Sequence, residues 1–143
     1  MGKRRASREL ALKFLYQSEF NPEDREAQME HFCESTGSGQ EITGFMKELV
    51  EKVFAQADEV DVLIKKFSDN WTLERMSMVD RNILRLGICE LLFESSTPPK
   101  VVINESVEIA KKFGSEDSPD FINGILDKIF KKTLKDTVPP VIK

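Results

Sequence analysis

Apolar residues recur along most of the chain at the spacing of amphipathic helices. The clearest stripe runs from Ile42 to Phe54 at i, i+3, i+4, i+7 and onward. No sustained two-residue alternation and no Asn-Gly or Asp-Gly turn between β-branched runs occurs, so no strand is predicted. The pattern predicts an all-α protein with seven helices, at about residues 5–20, 23–34, 42–54, 60–67, 73–93, 100–113 and 119–132.

Proline and glycine mark several helix ends. Pro22 ends the first helix, Gly114 is expected to close the sixth in the left-handed conformation, and Ser118 is expected to cap the seventh, ahead of Pro119. The first helix has apolar residues on two sides, so it is either central or touches a partner. The fifth has so broad an apolar stripe that a buried, central position is predicted.

The length of 143 residues suits one domain. We expect a single helical domain at 1–135, with a first lobe at about 3–57 and a second at about 58–133. Residues 136–143, which include two adjacent prolines, are expected to be a disordered tail.

Charge is distributed unevenly, although the net charge is only −4. Residues 1–20 hold five basic and two acidic side chains, whereas residues 21–62 hold three basic and eleven acidic ones. A basic head on an acidic body is typical of a segment that contacts nucleic acid. The alternative at this point is a solvated, frayed terminus without a partner.

Several classes of protein are disfavoured by what the sequence lacks. Cys33 and Cys89 lie far apart in apolar helical patterns, which favours buried thiols in a reducing cytoplasm, and His31 is the only histidine, so neither a metal nor a cofactor is expected. Carboxylate pairs exist, but without a histidine, a metal or a glycine-rich phosphate loop beside them we expect no enzyme. No signal peptide and no membrane span are visible.

Three stretches together resemble the NusB family, and the match covers about residues 3–132. They are KRRASRELALKFLYQ at 3–17, VDRNILRLGICELL at 79–92, and PKVVINESVEIAKKFGSEDSPDFINGILDK at 99–128. The resemblance implies a seven-helix fold of two three-helix-bundle lobes. It also implies a transcription antitermination factor that binds boxA RNA of ribosomal RNA leaders with NusE, a small-subunit ribosomal protein. That pair would join other Nus factors in an antitermination complex on RNA polymerase, with no small-molecule substrate and no membrane.

The resemblance also implies which residues contact RNA. Cations at a helix N-terminus oppose the helix dipole, so phosphate contact accounts for the arginines of the head better than stability does. Aromatic rings can stack on bases, and carboxylates can read base edges or sugar hydroxyls. For Tyr16 a place in the core, and for Asp80 and Asp117 a solvated or capping role, stay open as alternatives. The expected RNA-binding residues are Lys3, Arg4, Arg5, Arg8, Tyr16, Asp80, Phe113, Asp117 and Phe121.

Two further expectations concern structure and partners. Asn104, Glu105 and Asn123 are polar residues within apolar stretches, so they are expected to be buried and hydrogen-bonded between helices. NusE is expected to dock on the second lobe, over the fourth and fifth helices, beside the segment from Arg75 to Arg85. The alternative to RNA binding is a helical adaptor that contacts proteins only.

Overall fold

Seven α-helices and no strand make up the part of the chain that the computed structural model describes, namely residues 2–68, 73–94 and 96–134. The all-α prediction is therefore confirmed. The helices are α1 Gly2–Phe20, α2 Arg25–Thr36, α3 Gln40–Ala55, α4 Ala57–Phe67, α5 Met78–Phe93, α6 Pro99–Phe113 and α7 Ser118–Ile129, and a π-helical turn Phe130–Leu134 extends α7. Within these ranges, none of the helices combines the length and the apolar character needed to cross a membrane.

The start of α5 differs from the prediction of one helix over 73–93. Leu73–Arg75 forms a separate 3-10 turn, and α5 begins at Met78. Ser77 separates them because its backbone is extended and its hydroxyl accepts the N–H of Asp80 at 3.0 Å, which satisfies a free donor of the first turn. The apolar spacing alone did not reveal this cap.

The turn between α6 and α7 also differs from its prediction. Gly114 has φ −95° and ψ −167°, which is extended backbone, so it is not a left-handed cap. Helix α7 begins at Ser118 rather than after it, with Asp117 as the preceding residue. The Ser118 hydroxyl accepts the N–H of Ser115 at 2.9 Å, so it closes the turn instead of capping the helix.

Helix α5 is central, as its broad apolar stripe predicts. It packs against α1, α3, α4, α6 and α7, and its residues from Asn82 to Leu91 are buried except for Arg85. Helix α1 packs against both α3 and α5, which explains its two apolar sides. The division into lobes at 3–57 and 58–133 stays a prediction, and the expected tail at 136–143 lies outside the described residues.

Of the three polar residues expected to be buried, only Glu105 is. Asn104 and Asn123 are exposed, because each lies on the outer side of its helix. Cys89 is buried, and this burial raises the pKa of its thiol to about 12, whereas Cys33 is only half-buried.

Candidate nucleic-acid interface

The first turns of α1 carry four cations, and three of them are exposed. Lys3 pairs with Glu41 of α3 at the surface. Arg4 lies over the ring of Phe45, with its guanidinium carbon 3.8 Å from the ring centroid, and this contact holds the guanidinium plane against α3. Both side chains present positive charge to solvent at the N-terminal end of α1.

Arg5 is held by a carboxylate of another helix. Its Nε and Nη2 donate to Oε1 and Oε2 of Glu105 on α6 at 2.9 and 2.8 Å. The hydrogen bonds from Arg5 lower the pKa of Glu105 below its ordinary value, and together with the charges of Arg5 and Arg8 they outweigh the opposing effect of burial. The pair therefore stays charged at neutral pH.

Arg8, in contrast, belongs to the interior. Its Nε and Nη2 donate to the two carboxylate oxygens of Glu90 on α5 at 2.8 and 2.6 Å, and its Nη1 lies 3.8 Å from Glu105. The side chains of Arg8 and Glu90 are only 7% and 3% exposed. This geometry argues against the expectation that Arg8 contacts phosphate, because its guanidinium is both covered and paired.

An exposed pair of aromatic rings lies towards the C-terminal end of α1. Tyr16 is 41% exposed and Phe20 is 68% exposed, and their rings meet edge to face with centroids 5.4 Å apart. Tyr16 is therefore not a core residue, which settles its structural alternative. Phe20 was not among the expected RNA-binding residues, although its spacing of four from Tyr16 on the second apolar line of the helix could have indicated it.

Phe113, at the end of α6, faces α1. Its ring centroid lies 5.8 Å from Nζ of Lys13 and 5.4 Å from Nζ of Lys112. Lys112 in turn donates to Glu9 of α1 at 2.9 Å. The half-buried ring thus lies near two ammonium groups, and Lys13 is about one turn of α1 before Tyr16.

An open cavity of about 260 Å³ brings three of the expected residues together. Asp80 comes from the first turn of α5, and Asp117 and Phe121 come from the α6–α7 turn and the first turn of α7. Neither Arg75 nor Ser77 was expected at this site. The full lining is Arg75, Met76, Ser77, Asp80, Ser115, Asp117, Ser118 and Phe121.

One oxygen of this cavity lacks a hydrogen bond. Within the described part of the chain, Oδ1 of Asp80 is the one buried side-chain nitrogen or oxygen atom without a partner. A buried acceptor without a donor costs on the order of 1–3 kcal/mol, and a ligand that brings a donor recovers that cost. Asp117 is exposed and makes no capping hydrogen bond. The capping alternative for Asp117 therefore has no support in the geometry.

The turn that holds Asp117 is closely packed. A Cβ atom added at Gly114 would lie 2.5 Å from Oγ of Ser118 and 2.9 Å from the carbonyl oxygen of Ala110. Glycine is needed there for space rather than for backbone conformation. The turn thereby fixes the start of α7 against the end of α6, and with it the placement of Asp117 and Phe121.

A second charged network ties the end of α1 to α5. Glu19 accepts from Arg81, Arg85 and Asn82, and Arg85 also makes a two-point contact with Asp61 of α4 at 2.9 and 3.1 Å. Burial raises the pKa of Glu19, but the hydrogen bonds from Arg81 and Asn82 and the charges of Arg81 and Arg85 together lower it by more. The pKa of Glu19 is therefore below its ordinary value. These arginines are therefore engaged within the protein.

The described residues show no metal-binding cluster. No three His, Cys, Asp or Glu side chains among them come together in a way that could hold a metal ion. The cavity beside Asp80 instead offers carboxylates, hydroxyls and a ring, which suit hydrogen bonding to and stacking on an organic group.

Comparison with known proteins gives the family. A sequence model of the NusB family matches residues 5–131. The transcription antitermination protein NusB of Myxococcus xanthus is 47% identical over 133 residues, which cover 90% of this chain and 95% of that protein. A NusB structure from T. maritima superposes with a TM-score of 0.82 at 39% identity, covering 90% of this chain and 91% of that one.

A structure of antitermination factors NusB and NusE in complex with dsRNA also matches. The matching chain is 29% identical, with a TM-score of 0.83, and the alignment covers 92% of this chain and 98% of that one. The sequence match and the shared fold agree over nearly the whole length, and both extend through the α6–α7 turn. The chain belongs to the NusB family.

Proposed function

We propose that this protein is a transcription antitermination factor that binds boxA-type RNA of ribosomal RNA leaders together with NusE. With NusE it would help to assemble an antitermination complex on RNA polymerase. The observation that carries the proposal is the cavity at the α6–α7 turn, where Asp80, Asp117 and Phe121 come together and Oδ1 of Asp80 is buried without a hydrogen-bond donor. Curated relatives named for antitermination, and a relative solved with NusE and dsRNA, support it.

The proposed RNA-facing surface runs from the N-terminal end of α1 to the α6–α7 turn. Exposed cations at the start of α1 neutralise phosphates, rings stack on bases, and carboxylates accept from base amino groups or ribose hydroxyls. Arg8 is left out because it is buried. The surface comprises Lys3, Arg4, Arg5, Tyr16, Asp80, Phe113, Asp117 and Phe121.

The cations and the aromatic rings should contribute to RNA binding in different ways. Arg4→Ala should flatten the slope of log affinity against log salt by about 0.7 and weaken boxA and shuffled RNA alike. Arg25→Ala, which removes an exposed arginine of α2 that lies over Phe54 at the same 3.8 Å, is the matched control and should change neither. Tyr16→Ala should cost roughly 1–3 kcal/mol without changing the slope, because a ring contributes stacking and no counterion release.

Asp117 is the residue to change for sequence discrimination. Asp117→Asn removes a charge that phosphates repel and keeps an acceptor, so affinity should rise while the preference for boxA over shuffled RNA falls. Asp120→Asn makes the same change at an exposed site of α7 and serves as the control. Unaltered affinities for both RNAs in Asp117→Asn would remove Asp117 from the surface.

The partner should strengthen RNA binding. A net charge of −4 leaves one basic end to attract phosphate, and a ribosomal protein would add cations. We expect RNA affinity to rise about 5- to 150-fold with NusE, the usual range of such coupling. If neither boxA nor shuffled RNA binds, with or without NusE, while NusE still binds, the protein is an adaptor for proteins only.

NusE is placed over α4 and α5 in this proposal. Val62 on α4 is 61% exposed, whereas Arg81 and Arg85 of α5 are already paired with Glu19 and Asp61, so we take the apolar side chain as the contact for NusE. Val62→Asp should weaken NusE binding. Val101→Asp makes the same change at an exposed valine on α6 and should not.

A further inference from the structure

The guanidinium of Arg5 is hydrogen-bonded along one edge, and the N–H groups of its other edge remain available. Two of its five N–H donors, one on Nε and one on Nη2, are used by Glu105, which leaves three for another acceptor. The Arg5 side chain stays 44% exposed, whereas that of Glu105 is only 7% exposed. A surface cation is thus anchored by a carboxylate from the interior.

Glu105 is itself held in place. It lies on α6 within the core of helices, and Nη1 of Arg8 lies 3.8 Å from its Oε1. Arg8 is fixed in turn by its two-point contact with Glu90 on α5. The orientation of Arg5 is therefore set by three helices, and this distinguishes Arg5 from Lys3, whose partner Glu41 is exposed.

We propose that Glu105 is a positioning residue for RNA binding: it never touches RNA, and it holds the guanidinium of Arg5 ready for a phosphate. The role rests on the proposed function of the protein. Arginine has a long side chain with many rotamers, and a contact made by a disordered one must meet the cost of ordering it. Holding the side chain in advance removes roughly 0.5–1.5 kcal/mol of that cost, which corresponds to about two- to tenfold in affinity.

Electrostatic repulsion between Glu105 and the RNA phosphate would have the opposite effect on binding. A carboxylate beside Arg5 also repels phosphate, so Glu105 could weaken RNA binding instead of supporting it. The two effects predict opposite signs for Glu105→Gln, which keeps the shape of the side chain and removes its charge. Glu108→Gln is the matched control, because it removes a neighbouring exposed carboxylate of α6 that attracts Arg5 through charge alone.

The test is a double-mutant cycle in RNA affinity with the full chain, using boxA RNA and NusE. Glu105→Gln should weaken binding about two- to tenfold when Arg5 is present and have no such effect in an Arg5→Ala background. The salt slope should stay as in the wild type, because Arg5 still reaches the phosphate, whereas Arg5→Ala flattens it by about 0.7. Glu108→Gln should not weaken binding.

Two further measurements separate positioning from a loss of fold. Arg5→Lys keeps the charge but cannot be held at two points, so it should weaken RNA binding about as much as Glu105→Gln while leaving the urea midpoint nearly unchanged. In NMR spectra of the free protein, the Nε–H signal of Arg5 should be resolved and slow to exchange, and Glu105→Gln should abolish that protection.

Each outcome has a definite meaning. Equal or tighter RNA binding by Glu105→Gln in the presence of Arg5 overturns the positioning role, as does an equal loss in both backgrounds. If either of these results is found while the wild-type protein still prefers boxA RNA, only the role of Glu105 fails. If the wild-type protein shows no RNA binding with or without NusE, the proposed function fails and the positioning role falls with it.

Discussion

Arg8 should matter for stability more than for RNA. Replacing it with alanine leaves the carboxylate of Glu90 buried and removes two hydrogen bonds, of 2.8 and 2.6 Å. Breaking a buried pair by removing one partner typically costs 3–5 kcal/mol, because the remaining charge has neither water nor a counterion. For a domain whose total stability is of the order of 5–15 kcal/mol, that is a large share.

Urea unfolding measures this cost directly. With a slope of about 2 kcal/mol/M, a loss of about 4 kcal/mol moves the midpoint down by about 2 M. Arg8→Lys keeps the charge but loses the two-point contact, so its midpoint should fall less. The double variant Arg8→Met/Glu90→Leu removes both charges together and should be close to the wild type in stability.

An exposed ion pair provides the control for this prediction. Lys112 and Glu9 are 2.9 Å apart, and the lysine side chain is exposed, so Lys112→Ala should cost no more than about 1 kcal/mol. The reasoning about Arg8 would be refuted by an Arg8→Ala variant that keeps the wild-type urea midpoint. If that variant also flattened the salt slope of RNA binding, Arg8 would return to the phosphate contacts.

Three other predictions concern pH, the α6–α7 turn and the thiols. The folded-state pKa values of Glu105 and Glu19 are lowered, so their contribution to stability is present above the ordinary value of 4.5 and is lost as pH falls through the lowered values. Urea midpoints of the wild-type protein should therefore drop as the pH falls below about 4.5. The midpoints of the Glu105→Gln and Glu19→Gln variants should drop less steeply. Gly114→Ala forces its Cβ into α7 and should cost about 1–3 kcal/mol in urea unfolding and weaken boxA RNA binding. Cys89, buried and with a raised pKa, should resist alkylation in the folded protein, whereas half-buried Cys33 should react faster; equal rates would contradict this.

The spacing of apolar residues predicts most of the helices. It fails at helix ends that are set by local hydrogen bonds and close packing. The stripe from Ile42 to Phe54 predicts α3, which spans Gln40–Ala55. The same spacing continues across Ser77, where a side-chain cap ends one turn and starts α5. At Gly114 the sequence suggests a left-handed cap, but the residue is glycine because Ser118 leaves no room for a Cβ atom.

The site could be predicted only in part, because a local sequence pattern does not show which distant residue an arginine pairs with. The resemblance brought Asp80, Asp117 and Phe121 into the expected set, and the structure places them around one cavity. Arg5 and Arg8 look alike in the sequence, yet one is exposed at the surface and the other is buried. Their partners lie 100 and 82 residues further along the chain, and only packing brings them within reach.

That separation also affects how the protein is made. Helix α1 leaves the ribosome before the helices that follow it, but the carboxylate that neutralises Arg8 comes 82 residues later. At about 5–20 residues per second, this is an interval of roughly 4–16 s in which α1 can pack on α2 and α3 but Arg8 still lacks its carboxylate on α5. The surface proposed to meet RNA is thus completed only when α5, α6 and α7 have been synthesised, so the N-terminal basic segment acquires its final arrangement among the last parts of the fold.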